Sequence, residues 1–492
     1  MSFWSMKTLV GRSSLIKVIP LATIFLLAAF LRLYRLPEIP PGLHPDEAMN
    51  GINALEAWRT GHFQVFYPEN GGREGLFINF QSLALGLIGQ NEPWVLRLVS
   101  AIFGTLTVIA FYFFCREISD ESTARLAALL MATSVWHITM SRFGTRPVSA
   151  LFFLLWGLYL FWRSTRRLAE GSRWYVLEAV AAGLVYGLGF HTYTAYRITP
   201  LMVAALVPRM ARQYGLRAIV KVGSIAVSVA IATVLPLALY FLGHGADFMH
   251  RINEVSLVAS THPIRQLLMN IVKTVGMYGF AGDENWRHNL SGQPMLFWSV
   301  AILCFIGVGL AVFRRRWLLA FWAAGSLPAV LSTEDLPHAL RSSLTIPAAL
   351  FAAALGGIWV WRRLASRLPP LGSTVLPYAV AAALVVQASH RYFVTWGRNP
   401  MVAAWFYDDA VAHARALSVA PRDIPKYVVF SVEQGRYNRG LPSSAAPIMF
   451  LTDTFSPENQ QKMGVHYLLL DQTNQIARGW VYVDFIPPPT AY

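Results

Sequence analysis

Apolar residues fall in runs long enough to span a bilayer, and polar residues collect between them. Runs near the roughly 20 residues needed to cross about 30 Å of hydrocarbon lie at 16–36, 95–115, 123–140, 147–163, 174–191, 196–208, 219–242, 294–313, 316–331, 342–361 and 373–391, which predicts about eleven transmembrane helices. Two further patches, 75–89 and 264–280, are shorter and interrupted by Asn79, Gln81 and Ser82 or by Arg265, Gln266 and Lys273. They read as helices lying in the interface. After Arg391 the pattern changes. Residues 402–418 suit an amphipathic helix, and Tyr427–Val432, Pro447–Leu451, Val465–Leu470 and Trp480–Phe485 read as short strands separated by Pro, Gly, Asn and Asp. The expected architecture is an all-α polytopic membrane domain over 1–391, with large external loops at 35–94 and 243–293, followed by a small extracytoplasmic α/β appendage over 392–492. No internal repeat or low-complexity tract interrupts this order.

Composition agrees with the bilayer as the main solvent: the 492 residues are 55% hydrophobic and only 14% charged. The net charge of +15 does not point to nucleic acid, because the basic residues flank apolar runs and form neither a tail nor a stripe among aromatics. Charge here serves topology and contact with anionic lipids. Lys7, Arg12 and Lys17 precede the first run as in a signal peptide, but no small-residue cleavage site follows, so a retained first span with an inside N-terminus is expected. Cys115 and Cys304 both lie in apolar runs and set no disulfide framework.

The positive-inside rule tests the count. With neither short patch crossing, Arg163–Arg173, Arg209–Lys221, Arg314–Arg316 and Arg362–Arg367 all fall on the cytoplasmic side; counting 75–89 alone as a span would put all four outside. Scattered arginines remain outside, among them Arg32, Arg73, Arg142 and Arg341, and become candidates for holding an anion. The same face collects Asp46, Glu47 and Glu74, then His191, Tyr193 and Arg197, then Asp283, Arg287 and His288, then His338. Ionisable groups at a bilayer boundary are costly unless paired or used. Their convergence suggests a site for a charged, lipid-linked substrate: a carboxylate to take a proton from an attacking hydroxyl or amine, and arginine and histidine to hold a leaving phosphate. The competing reading of Asp46 and Glu47 is a helix cap after Pro45. No Gly-rich phosphate loop is present, which argues against a nucleotide-sugar donor.

The order Arg32-Leu-Tyr-Arg35-Leu-Pro, Pro41-Gly-Leu-His-Pro-Asp46-Glu47-Ala, Arg73-Glu74-Gly-Leu and Pro93-Trp-Val-Leu-Arg97 resembles the family 39-like glycosyltransferases of the GT-C fold, which include protein O-mannosyltransferases and aminoarabinose transferases. The similarity continues through Ser141-Arg142-Phe-Gly, Gly189-Phe-His191-Thr-Tyr193, Gly282-Asp283 and Pro337-His338-Ala-Leu-Arg341. The resemblance implies inverting transfer of a sugar from a polyprenyl-phosphate donor to an extracytoplasmic acceptor at the outer face of what is expected to be a bacterial plasma membrane. Carried over by position, Asp46, Glu47 and Glu74 are the catalytic acids, and Arg73, Arg142, His191, Arg197, His338 and Arg341 are expected to bind the donor phosphate. Asp283, Arg287 and His288 are further loop candidates. One departure stands out: where many relatives carry another acid, this chain has Gly144-Thr145-Arg146-Pro147. No cofactor is assigned and a divalent cation is left open. A transporter or flippase of a polar or lipid-linked solute, and a ligase using a polyprenyl-diphosphate glycan, are the rival readings.

Overall fold

The computed structural model describes residues 21–248, 262–333, 336–421, 423–430, 442–476 and 479–484. The start of the first predicted run, part of the 243–293 loop, and Glu334 and Asp335 lie outside the described residues.

Most of the described residues up to Arg391 are helical. The elements are α1 (Leu21–Leu33), α2 (Pro45–Thr60), a hairpin of β1 (Phe66–Tyr67) and β2 (Arg73–Glu74), α3 (Leu76–Ile88), α4 (Pro93–Ile118), α5 (Glu121–Thr133) and α6 (Val135–Arg142). Then follow α7 (Pro147–Ala169), α8 (Tyr175–Gly189), α9 (Thr199–Tyr214), α10 (Leu216–Gly243), α11 (Pro263–Gly276), α12 (Trp298–Arg314), α13 (Arg316–Val330), α14 (Ile346–Ala365) and α15 (Pro370–Ser389). Five described helices are long and apolar enough to cross a membrane, or up to six if α12 and α13, bent by 119°, form one broken span. The chain is an integral, multi-pass membrane protein. The predicted run 123–140 is two helices, broken where Ser134 leaves the helical conformation and its side chain caps α6 through the His137 N–H. The bundle packs closely at small residues. Gly307 of α12 and Gly356 of α14 each sit where an added Cβ would fall about 2 Å from a facing backbone oxygen, of Ala352 and Leu303 respectively.

One end of this bundle is basic. Beside the last turn of α4, Arg166 pairs with Glu117 at 3.0 Å, Arg209 and Arg315 donate to the Ile118 carbonyl, and Arg362 pairs with Asp120 at 3.2 Å. Each of the four basic clusters thus sends an arginine to the same place. At the opposite end of α4, Arg97 meets Glu47.

Beyond the bundle come α16 (Pro400–Trp405), α17 (Asp408–Val419), β3 (Lys426–Phe430), α18 (Ala446–Thr452), α19 (Pro457–Met463), β4 (Val465–Leu469) and β5 (Trp480–Asp484). The strands form one parallel sheet in the order β4-β3-β5. The expected strand at Pro447–Leu451 is instead helix α18. This short run is apolar on all sides, which suits either element, and its burial against its neighbours selects the helix. The unit does not stand apart: Ala410, Val411, Val428, Ile448 and Phe450 share one buried core with Leu43, Met49, Ile52 and Leu55 around α2.

Candidate active site

Helix α2 begins with its acids already assigned. His44 is the N-cap, its Nδ1 lying 3.0 Å from the Asp46 N–H, while Glu47 reaches back to the His44 N–H. Capping therefore falls to His44 and Glu47, and the Asp46 carboxylate is left for other partners. Glu47 is 0% exposed, bonded through both oxygens to Arg97 at 2.9 Å and to the Gly144 N–H at 2.7 Å. Every strong partner it needs is protein, so the expectation of a catalytic Glu47 gives way to a structural one.

Asp46 is different. Its side chain is 39% exposed, with one oxygen 2.9 Å from both Arg73 and Asn70 and the other 3.3 Å from Arg287. Three separate stretches of chain meet there. The hairpin brings the first: Asn70, Gly71 and Gly72 all have positive φ, and the turn sets Tyr67 opposite Arg73. Successive strand residues point to opposite faces, so Arg73 turns to Asp46 and Asn50 while Glu74 turns away. Glu74 is 1% exposed, held by Arg146 at 2.7 Å, Thr194 at 3.0 Å and Arg197 at 3.3 Å. It is a buried junction and not an accessible base, a second correction, and Arg146 supplies the partner that explains the arginine in that turn.

The second is a closed loop between α11 and α12, and α2 itself is the third. Gly282 N–H donates to the Gly292 carbonyl and Gly292 N–H to that of Asp283, closing its neck. Inside, Asn285 Oδ1 holds the Arg287 backbone and Nε, and Arg287 projects to Asp46 Oδ2 and, at 3.0 Å, to His44 Nε2, with Trp405 beneath its guanidinium. His288 Nδ1 is 2.9 Å from Asp283 Oδ2, which also accepts from the Ala339 N–H at 2.7 Å, and the His288 ring lies against His338. Burial pushes the pKa of His44 and of His288 below the usual histidine value, and that of His338 down to about 3. All three rings are neutral near pH 7. Asp283, His288 and His338 present one ligand atom each, all within 4.8 Å of one another, and can hold a divalent cation.

The other expected phosphate ligands are placed unevenly. Arg341 donates to Ser332 Oγ at 2.7 Å and shares its segment with His338. Arg197 lies over Phe241 and Phe248 besides meeting Glu74. His191 Nε2 bonds the Thr233 carbonyl at 2.9 Å, tying α8 to α10. Arg142 is 0% exposed, donating to the carbonyls of Arg32 and Ile39 over the rings of Tyr392 and Phe393, and Arg32 is likewise spent on the carbonyls of Met131 and Ala132. These two pin chain segments together and are withdrawn as anion ligands. Sequence reasoning passed over His44, although a histidine directly before Pro-Asp-Glu at a helix start was a signal.

A family model described as dolichyl-phosphate-mannose-protein mannosyltransferase matches residues 75–252. Among curated proteins no sequence matches. Among solved structures, ArnT from Cupriavidus metallidurans in the apo state superposes with a TM-score of 0.58 at 13% identity, covering 90% of this chain and 85% of that one. The same protein bound to undecaprenyl phosphate gives 0.57 at 14%, covering 93% and 90%. The oligosaccharyltransferase of Archaeoglobus fulgidus, in complex with zinc and sulfate, gives 0.53 at 15%, over 88% of this chain and 61% of that one. The chain thus spans less than two thirds of that oligosaccharyltransferase. These likenesses show a GT-C fold resembling the family 39 enzymes.

Proposed function

We propose that this protein transfers a sugar from a polyprenyl-phosphate donor to an acceptor on the extracytoplasmic side of the membrane, with inversion, and that Asp46 is the base. The observation that carries the reading is Asp46 itself, an accessible carboxylate gripped by arginines from two distant segments. In the reaction, an acceptor O–H or N–H gives its proton to Asp46 as its lone pair attacks the anomeric carbon. The bond from that carbon to the phosphate oxygen breaks, and its electron pair leaves on the polyprenyl phosphate. Arg287 would follow that charge, a role supported by the position of its NH1 between His44 and Asp46 and by the planar fork in which a guanidinium holds phosphate oxygens. Arg341 and His338 stand on the neighbouring segment as further donor ligands. An open surface groove lined by Leu290, Phe297, Ala382, Val386 and Arg391, with Gln293, Gln387, His390 and Thr395 among them, adjoins the same loop, and its apolar stretch suits an isoprenoid chain. That ArnT binds undecaprenyl phosphate supports this class of donor.

The test is transfer by purified protein from a labelled polyprenyl-phosphate sugar. Release of polyprenyl phosphate with an inverted glycosidic product is expected. A folded wild-type protein that leaves a panel of such donors intact would overturn the reading, and release of polyprenyl diphosphate from a diphosphate glycan would replace it with a ligase.

A further inference from the structure

We infer that Asp283, His288 and His338 form a binding site for a divalent transition-metal ion of the zinc type. Two separate loops deliver the three groups, and their ligand atoms lie within 4.8 Å of one another. In a tetrahedral zinc site, ligands about 2.0–2.1 Å from the metal stand about 3.3 Å apart, so small side-chain rotations suffice to close this set.

A second observation is the contact between two of the three groups. His288 Nδ1 lies 2.9 Å from Asp283 Oδ2, and both residues are buried, so the proton between them occupies the place that a cation shared by the two would take. Ligation through Nδ1 displaces that proton to solvent, as metal binding does when it replaces a ligand's proton.

The surroundings fit a metal. Two imidazoles and one carboxylate suit zinc or its neighbours better than magnesium or calcium, which favour oxygen throughout. Burial keeps both rings neutral, the form that ligates. The Ala339 N–H, at 2.7 Å from Asp283 Oδ2, orients the carboxylate as an outer partner does in metal sites. Three protein ligands leave a fourth position open. Glu47 and Glu74, the buried acids of the adjoining active site, are outside the set because Arg97 holds the first and Arg146 and Arg197 the second.

The site stands independently of the glycosyl-transfer reading, and its test needs no substrate. Untagged full-length protein in detergent is stripped with chelator, reloaded with zinc or cobalt, washed, and assayed by elemental analysis and by the visible spectrum of bound cobalt. Expected are close to one equivalent of metal, the intense bands of four-coordinate cobalt, and affinity lower by about 10–100-fold or more in His338→Ala and in Asp283→Asn, with Asp46→Asn unchanged. His338, the least buried of the three, gives the variant that folds most readily, and matched melting temperatures check this. Less than about a tenth of an equivalent in wild type, or undiminished metal in a folded His338→Ala, overturns the site and leaves Asp283–His288 as a hydrogen-bonded pair joining two loops.

Discussion

At the scale of single residues, two adjacent acids that are alike in sequence have opposite fates. Asp46→Asn keeps the shape of the side chain and leaves the His44 cap in place but cannot take a proton, so transfer should fall by roughly 10²–10⁴ with the melting temperature nearly unchanged. Glu47→Gln should do the reverse in its first effect. It leaves Arg97 buried without its counter-ion, and breaking such a pair costs about 3–5 kcal/mol; a Glu47→Gln protein as stable as wild type would refute the structural assignment. His44 gives a sharper test. Its neutral ring has one lone pair yet faces two donors at 3.0 Å, the Asp46 N–H at Nδ1 and Arg287 at Nε2. Asparagine reproduces the cap at the Nδ1 position, whereas glutamine places an oxygen near the position of Nε2. If His44 matters by holding Arg287, His44→Gln keeps the donor KM near wild type and His44→Asn raises it while retaining stability; a mere cap predicts the opposite ranking. The acids themselves were legible because they fall in the first polar loop. What sequence did not disclose was which acid would be sealed: that depends on Arg97, Gly144 and Arg146 arriving from 50 to 97 residues away, and spacing along the chain carries no such distance.

At the scale of elements, the loop before α2 and the C-terminal unit are one packed object. Gly42 has φ +67°, and a Cβ there would lie 2.2 Å from the Phe406 carbonyl oxygen. Gly51 on α2 faces the Phe450 ring in the same way, and His44 sits edge-on to Phe406 and Tyr407. Phe450→Ala should therefore cost about 3–5 kcal/mol and also slow transfer in the folded fraction, since the helix whose first turn carries Asp46 loses its support. Rates measured at matched folded concentration that stay at the wild-type value would show the unit to be only an attachment. The pattern of short strands after Arg391 was readable, and three of the four expected ones form a parallel sheet. Its docking was not readable, because the shared core joins residues such as Leu55 and Ile448 that are far apart in the chain. Ser134 was hidden for a related reason: a single capping serine inside an apolar run looks like an interruption too small to break a helix.

At the scale of the whole molecule, the positions of the arginines distinguish one end of the bundle from the other. The four basic clusters, inferred from sequence to share a side, send Arg166, Arg209, Arg315 and Arg362 to the residues around Ile118. Asp46 and its partners gather near the other end of α4, whose 26 residues make a rod about 39 Å long at 1.5 Å per residue, more than the hydrocarbon thickness of about 30 Å. The two groups of charges accordingly lie at opposite ends of α4, and under the positive-inside rule we propose that the arginine end is cytoplasmic and the Asp46 end extracytoplasmic. The exposed apolar residues of α10, among them Ile231, Leu235 and Leu239, face the lipid between. Both native cysteines are buried, so an impermeant thiol reagent meets little background. On intact cells a cysteine replacing Asn70, beside Asp46, should be labelled, and one replacing Arg315 should be labelled only after the membrane is opened. The reversed pattern would place the carboxylate on the cytoplasmic face, where an extracytoplasmic acceptor could not reach it, and the proposed reaction would fall with the topology.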